Sequence, residues 1–232
     1  MKKIDKTMIA VKTYSKIAKD YAREFFNDKI DLKHLNKFLL MLPKRARILD
    51  VGCGPGNYTK CMMEKGFVVE GIDLSKGMIK VARKMVPKGI FKIMDMRQLH
   101  YSAQTFDGLC AAYSLYHIAS DQALDVLREF HRVLKPDGIM ILMLQQGKGE
   151  GIIPEPFDEK EKMFFKYYQK NEIKKLLKAT NFEVMYEAER KSRGELELKQ
   201  KKLFISLLQG KNKYHFQYFF VRTKFFSAVS IS

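Results

Sequence analysis

ILDVGCGPGNYTK, residues 48–60, passes from a short apolar strand through three glycines into the start of a helix. Ile48-Leu49-Asp50-Val51 has strand length and composition, and Gly52, Gly54 and Gly56 interrupt it. Asn57 to Lys65 then reads as a helix, with Gly66 standing just past its end. Glycines suit a tight turn whose backbone a ligand approaches without meeting a Cβ. The helix start behind such a turn offers unpaired N–H groups to an anionic part of that ligand. The spacing is G-x-G-x-G, with Asn57 where the dinucleotide fingerprint has its third glycine, which weakens a nicotinamide reading. No Gly-Lys-Ser/Thr follows, so the turn is not a P-loop.

The same strand-then-helix alternation extends outward. Phe67 to Ile72 is a second strand ending at Asp73, and Ser75 is placed to cap a helix running to Val86. Ile90 to Met94 ends at Asp95, and Phe106 to Ala111 follows as a fourth strand. Ser120 is the expected cap of a helix carrying Leu124, Leu127, His131 and Leu134 on one face. Pro136-Asp137-Gly138 turns the chain into Ile139 to Leu144. Strands alternating with helices call for a parallel sheet covered on both faces. Upstream, residues 1–13 read as a loose basic lead-in; Tyr14 to Asn27 and Asp31 to Leu42 read as helices, the second stopped by Pro43. Downstream come a Gly/Pro-rich link (Gln145 to Pro156), a helix from Asn171 to Thr180, and two closing strands, Phe182 to Glu189 and Lys202 to Leu208, with Gln217 to Arg222 the alternative for the last strand.

Composition is that of a globular chain: 232 residues, 46% hydrophobic and 30% charged. The longest apolar run, Ile139 to Leu144, falls far short of the roughly 20 residues of a spanning helix. The first residues lack an apolar signal core, and Cys53, Cys61 and Cys110 are too few for a disulfide scaffold. No C-x-x-C or H-E-x-x-H occurs, so no metal site is expected, and a cytoplasmic setting fits. The net charge is +17. It lies in the flanks, which suit nucleic acid, anionic lipid, an anionic substrate or simply lysine-rich solvated helix faces.

Five pieces in register carry a resemblance: ILDVGCGPGNYT, VEGIDLSKGMIKVAR (69–83), MDMRQL (94–99), FDGLCAAYSLYHI (106–118) and HRVLKPDGIMIL (131–142). Together they resemble class I S-adenosylmethionine-dependent methyltransferases, in the broad branch that includes the ubiquinone/menaquinone-biosynthesis type. The resemblance covers roughly Tyr14 to Leu208. It implies a doubly wound α/β fold: a mostly parallel, seven-stranded Rossmann-like sheet with one antiparallel C-terminal strand and an N-terminal helical lid. The expected organisation is a lid at 1–46, the cofactor-binding domain at 47–208 and a basic-aromatic tail at 209–232. The tail is read as an added edge strand over Phe216 to Val221, a dimer strap, a sticky end or, least of all, a nucleic-acid contact.

The resemblance also implies S-adenosyl-L-methionine as cofactor and assigns residues to it. Gly52, Cys53, Gly54 and Gly56 form the turn under its methionine part, and Asp50 orients that turn. Asp73 accepts the ribose hydroxyls, a diol being suited to two acceptor oxygens. Leu74 and Met78 flank the adenine, Asp95 accepts from its amine, and the Met96 N–H faces the ring. Ala111 and Ala112 line the methionine end. Tyr14, Tyr21, Tyr113 and Tyr116 are substrate-side candidates, and His117 is the candidate catalytic residue. Packing within a helical stripe competes for Tyr14 and Tyr21, and a hydrogen-bonded helix-start histidine competes for His117. Asp73→Ala is expected to remove cofactor binding and leave the fold intact. Ala111-Ala112-Tyr113-Ser114 departs from the Asn/Asp-Pro-Pro-Tyr of enzymes that methylate adenine or glutamine amines. A small-molecule acceptor is therefore expected; an RNA bound through the basic flanks, and a non-catalytic cofactor-binding protein, are the alternatives.

Overall fold

A computed structural model describes residues 5–155, 158–191 and 215–224. Its main sheet has seven strands in the order β3-β2-β1-β4-β5-β9-β8. These are β1 (Arg47–Val51), β2 (Val68–Asp73), β3 (Ile90–Ile93), β4 (Phe106–Ala112), β5 (Leu134–Gln145), β8 (Phe182–Lys191) and β9 (His215–Thr223). Strands β1 to β5 pair in parallel, and β9 alone runs antiparallel, hydrogen-bonded to β5 on one side and β8 on the other.

Alternation of side chains along the central strands sets the two layers. Ile139, Ile141 and Met143 of β5 face one side with Ile48, Cys110, Tyr218 and Phe220. There they meet Leu35, Phe38 and Leu39 of α2 (Leu32–Leu40) and Met62 of α3 (Asn57–Glu64). Met140, Leu142 and Leu144 face the other side with Leu49, Leu109 and Phe219. Those residues meet Val126, Leu127 and Phe130 of α5 (Ala123–Val133), and Ile173 and Leu177 of α6 (Lys170–Ala179). A strand buried on both faces must be apolar throughout, which is why Ile139 to Leu144 shows no alternation in sequence.

The chain winds outward from β1 to β3, then returns to β4 and β5 on the other side. The carboxyl ends of β1 and β4 therefore flank the point where strand order reverses, the place where such sheets open a ligand crevice.

Several expectations are corrected. The lead-in is helical: α1 spans Lys6–Phe25, capped by Asp5, whose side chain accepts from the Thr7 N–H. α2 is a sheet-covering helix, not part of a lid, because its apolar face lies under β5 and β9. Ser120 does not cap α5; its N–H donates to Glu150, and the helix starts three residues later. The Gly/Pro-rich link is largely a strand, β6 (Glu150–Glu155), which pairs with β7 (Asp158–Lys166) in a separate hairpin. Lys202 to Leu208 lies outside the described residues. The last strand is β9, inserted between β5 and β8, so a boundary at 208 would cut through the sheet. Phe216 to Val221 is accordingly an interior strand and not an added edge. Ser75 does cap α4 (Lys76–Met85), accepting from the Met78 N–H.

Candidate active site

A cavity of about 260 Å³ opens at the carboxyl ends of β1 to β4. The glycine turn forms its floor. Gly52, Gly54 and Gly56 all have positive φ, at 68°, 53° and 87°. Their reasons differ. A Cβ on Gly52 would fall 2.3 Å from the Cβ of Ser114, and one on Gly56 would strike the Phe91 ring at 2.9 Å. Those two are glycine for packing as well as for φ. Gly54 alone looks onto open space within the cavity wall, so its backbone is bare to a ligand.

Asp73 ends β2 beside this turn. Its Oδ2 accepts from the Gly54 N–H at 3.0 Å and its Oδ1 from the Ser75 N–H at 2.8 Å. Each oxygen keeps a second lone pair. Burial pushes the carboxyl up to about 6, against the pull of those two N–H groups. Asp50 is 1% exposed and does not reach the cavity; it accepts from the Thr59 hydroxyl at 2.6 Å and so ties α3 to β1. Burial pushes Asp50 up to about 7. Cys53 lines the floor with its thiol pushed well up by burial, which makes it inert.

Leu74, Met78 and Met96 supply apolar wall beside Asp73. Asp95 also lines the cavity, but Arg97 occupies its carboxylate. Oδ1 accepts from the Arg97 N–H and Nε, and Oδ2 from Nε and Nη2. Arg97 reaches on to Asp5 at the start of α1. Ala112 lines the cavity; Ala111 points into the core on the opposite side of β4. Gly56 also lies outside the cavity wall.

Tyr14 and Tyr21 reach the cavity from α1, and Tyr113, Tyr116 and His117 reach it from the segment after β4. His117 closes a chain of contacts across the roof. Its Nδ1–H donates to the Phe164 carbonyl at 2.9 Å, which leaves Nε2 to accept from the Tyr14 hydroxyl at 3.0 Å. Burial pushes the imidazole down to about 4, so it is neutral at ordinary pH. Tyr113 has φ of 55°, unusual for a bulky residue. Its N–H is held by the Met143 carbonyl and its hydroxyl donates to Asp31 at 2.7 Å.

Sequence reasoning missed three parts of the wall. The β6–β7 hairpin contributes Glu155, Met163 and Phe165. Asp31 and Arg190, both buried, form an ion pair at 3.3 Å, with the Tyr218 hydroxyl donating to Asp31 at 2.5 Å and the guanidinium over Phe216 at 4.2 Å. Ser114, 5% exposed in the wall, has a hydroxyl with no hydrogen-bond partner. Only Phe216 carried a sequence signal, in the alternation of the tail.

These features suit an adenosyl sulfonium ligand. Gly54 leaves steric room for such a ligand, and the raised carboxylate with acceptor capacity left at Asp73 and the orphaned hydroxyl at Ser114 leave hydrogen-bonding capacity for it. Residues 48–138 match the family model described as a methyltransferase domain. Over that stretch the chain is similar to S-adenosylmethionine-dependent methyltransferases. Among proteins similar to it is YqeM of Bacillus subtilis, provisionally named a methyltransferase. It is 35% identical over 105 residues, 43% of this chain and 42% of that one. Another is the ubiquinone/menaquinone biosynthesis C-methyltransferase of Campylobacter jejuni, 32% identical over 111 residues, 45% of this chain and 46% of that one. The chain thus spans less than half the length of these curated relatives. A solved structure of similar fold is the Burkholderia thailandensis 1,6-didemethyltoxoflavin-N1-methyltransferase, bound to 1,6-didemethyltoxoflavin and S-adenosylhomocysteine. Its TM-score is 0.68 at 18% identity, covering 94% of this chain and 88% of that one. Among the described residues no helix is long and apolar enough to cross a membrane, and no group of side chains is set to hold a metal ion.

Proposed function

We propose that this protein transfers a methyl group from S-adenosylmethionine to a small-molecule acceptor held in the roofed half of the cavity. The observation that carries the reading is the junction of Asp73 with the open Gly54 backbone, beneath a roof made by α1 and the β6–β7 hairpin. S-adenosylmethionine, when bound, supplies an electrophilic methyl group on a charged sulfur.

In this reading Asp73 would hold the ribose hydroxyls with its remaining lone pairs, and Leu74, Met78 and Met96 would sandwich the base. Ser114 would satisfy its buried hydroxyl on the amino-acid end. Asp50 acts indirectly, by fixing α3 and hence the glycine turn. Asp95 fixes the end of β3 through Arg97, and the Met96 N–H would face the ring. His117 is a positioning residue: it holds the Tyr14 hydroxyl and thereby the pose of α1. The roof is pinned in place by polar contacts. Thr7 and Thr13 of α1 donate to the His117 and Lys162 carbonyls, and Lys6 and Lys16 pair with Glu150 and Glu161. A protein group then needs to supply only proximity and alignment for in-line transfer, which in such two-reactant steps is worth several kcal/mol.

A roofed chamber admits a small molecule more readily than an RNA. Calorimetric titration with S-adenosylmethionine and S-adenosylhomocysteine tests the cofactor; salt-sensitive tRNA binding tests the alternative acceptor. No heat with either cofactor form, or NADH bound in their place, would overturn the reading.

A further inference from the structure

Most of the surplus charge lies in the flanks of the sequence, but one central segment also carries charge of a single sign. Residues 74–94 run from one part of the cavity wall, at Leu74, to another, at Met94, and hold six cations and no carboxylate. The segment contains α4 and β3, and β3 is an outer strand of the main sheet. Two of the six cations are engaged: Arg83 donates to the Phe91 carbonyl at 2.8 Å, and Lys92 pairs with Glu70 at 2.8 Å. Lys76, Lys80, Lys84 and Lys88 are exposed and have no carboxylate partner among the described residues.

Lys76, Lys80 and Lys84 recur at helical spacing, so they form one outward row on α4, across the helix from the buried Met78, Ile79 and Ala82. α1 extends the row. It meets α4 where a Cβ on Gly77 would fall 2.3 Å from the Ser15 carbonyl oxygen. Lys12 and Lys19 share the side of α1 that carries Ser15, and both are exposed.

Apolar side chains are exposed in the same segment. Met85 is 40%, Ile90 53% and Ile93 45% exposed, three of the seven large apolar residues exposed among the described residues. Lysines beside exposed aliphatic side chains suit an anionic lipid surface: the ammonium groups stay hydrated at the headgroups while the apolar groups reach the acyl boundary. Nucleic acid would offer the lysines its phosphates but leave the isoleucines and the methionine without a partner. The segment also exposes no ring on which a base could stack, because its one aromatic residue, Phe91, is buried. A second copy would set lysine against lysine across a two-fold axis.

We propose that the α4–β3 face docks on an anionic lipid bilayer, with Lys76, Lys80, Lys84 and Lys88 at the headgroups and Met85, Ile90 and Ile93 at the acyl boundary. The attachment is peripheral: among the described residues no helix is long and apolar enough to cross a membrane. Because the segment starts and finishes in the cavity wall, docking sets the cavity beside the lipid surface. The proposal goes beyond the methyltransferase reading and stands without it, since vesicle binding is measured on the protein free of cofactor.

The test is sedimentation of the full chain with sucrose-loaded vesicles, either of phosphatidylcholine alone or with about 30% phosphatidylglycerol. Binding is expected to the anionic vesicles and not to the neutral ones. It should weaken as salt rises from about 0.1 M to about 0.5 M, because the headgroup charge is screened. One lysine near such a surface is worth about fivefold in partition, so Lys80→Gln/Lys84→Gln should lower it by about 25-fold. Lys175→Gln/Lys178→Gln removes the same charge from α6, which packs on β8 at the opposite edge of the sheet, and should lower it by less than about threefold. Equal binding to neutral vesicles, no binding to either kind, or equal losses in the two double variants overturns the proposal. So does a tRNA that binds more tightly than the anionic vesicles, which would make the face a nucleic-acid surface. The wild-type comparison of vesicles and tRNA decides even if a variant fails to fold.

Discussion

Asp73→Asn tests the cofactor end of the site most directly, because the carboxylate has two duties that separate. In the free protein its oxygens accept from the Gly54 and Ser75 N–H groups, at 3.0 and 2.8 Å. Asparagine keeps one carbonyl oxygen and turns an NH2 toward the other N–H. One partly buried backbone donor then loses its acceptor, a loss of about 1–3 kcal/mol in stability. The expectation from sequence, that removing Asp73 leaves the fold untouched, is revised accordingly. Hydrogen bonds to a charged acceptor are worth about 1.5–3 kcal/mol each, and the amide keeps at most one neutral acceptor. A net loss of about 2–4 kcal/mol in binding raises the cofactor Kd by roughly 30- to 1000-fold.

The pH dependence supplies a second readout of the same residue. Burial holds Asp73 near 6 in the free protein, and hydroxyl donors favour its ionised form. Cofactor affinity should therefore be highest when the group is ionised and fall as pH drops through about 6, by at most tenfold per pH unit for one proton. Calorimetry between pH 5 and 8, with urea melts of both proteins, measures both effects. An Asp73→Asn variant that binds within about threefold of wild type, or keeps the inflection near 6, refutes the assignment.

Three further outcomes are expected. In Gly77→Ala the new Cβ would fall 2.3 Å from the Ser15 carbonyl oxygen and 2.7 Å from the Ser15 Cα. That backbone contact forces α1 off α4, so thermal melts should show a loss of about 1–3 kcal/mol, with weaker cofactor binding; a variant of wild-type stability would show that α1 is not seated there. Thr59→Val removes the hydroxyl on the buried Asp50 and should lower stability by about 1–3 kcal/mol in urea melts. Because burial raises Asp50 to about 7, its contribution is complete below about pH 4 and lost as pH rises through 7, so the free wild-type protein should weaken across that range. His117, held near 4 by burial, should produce no inflection at the usual imidazole pKa in the pH–rate profile; one that disappears in His117→Gln would make it a titrating base.

What could be read from sequence was whatever folds from neighbouring residues. Each of the first four strands ends in its own loop, so Gly54, Asp73, Asp95 and the Ala112–Tyr113 turn are positioned by segments of a dozen residues. What could not be read was what needs a distant partner. The stripe of Leu35, Phe38 and Leu39 announces a buried face but does not say whether it covers a ligand or a sheet; it covers β5 and β9. In β7 the run Glu159-Lys160-Glu161-Lys162 hides the strand, and Met163 and Phe165 make sense only against Tyr116 and Tyr167. Arg190 meets Asp31 across 159 residues of chain, which no local pattern reports. The ligand role read for Asp95 suits its place just past β3, but Arg97 two residues on fills its carboxylate.

This division by sequence distance is also a division of labour. The segment that matches the methyltransferase domain model, 48–138, builds the glycine turn, Asp73 and the post-β4 turn, which on the proposed reading are the cofactor half of the cavity. The other half comes from segments outside that match: α1, the loop holding Asp31, the β6–β7 hairpin and the β8–β9 pair. Selection for a common cofactor constrains the first set, because an adenosyl sulfonium presents the same groups to every protein that binds it. On the proposed reading the second set answers to the acceptor. Of the similar proteins named above, one is a C-methyltransferase and one an N1-methyltransferase. On the proposed reading, the acceptor must therefore be argued from this chain's own roof, where Tyr14, Tyr21, Tyr116 and the β6–β7 hairpin set the terms on which a molecule enters.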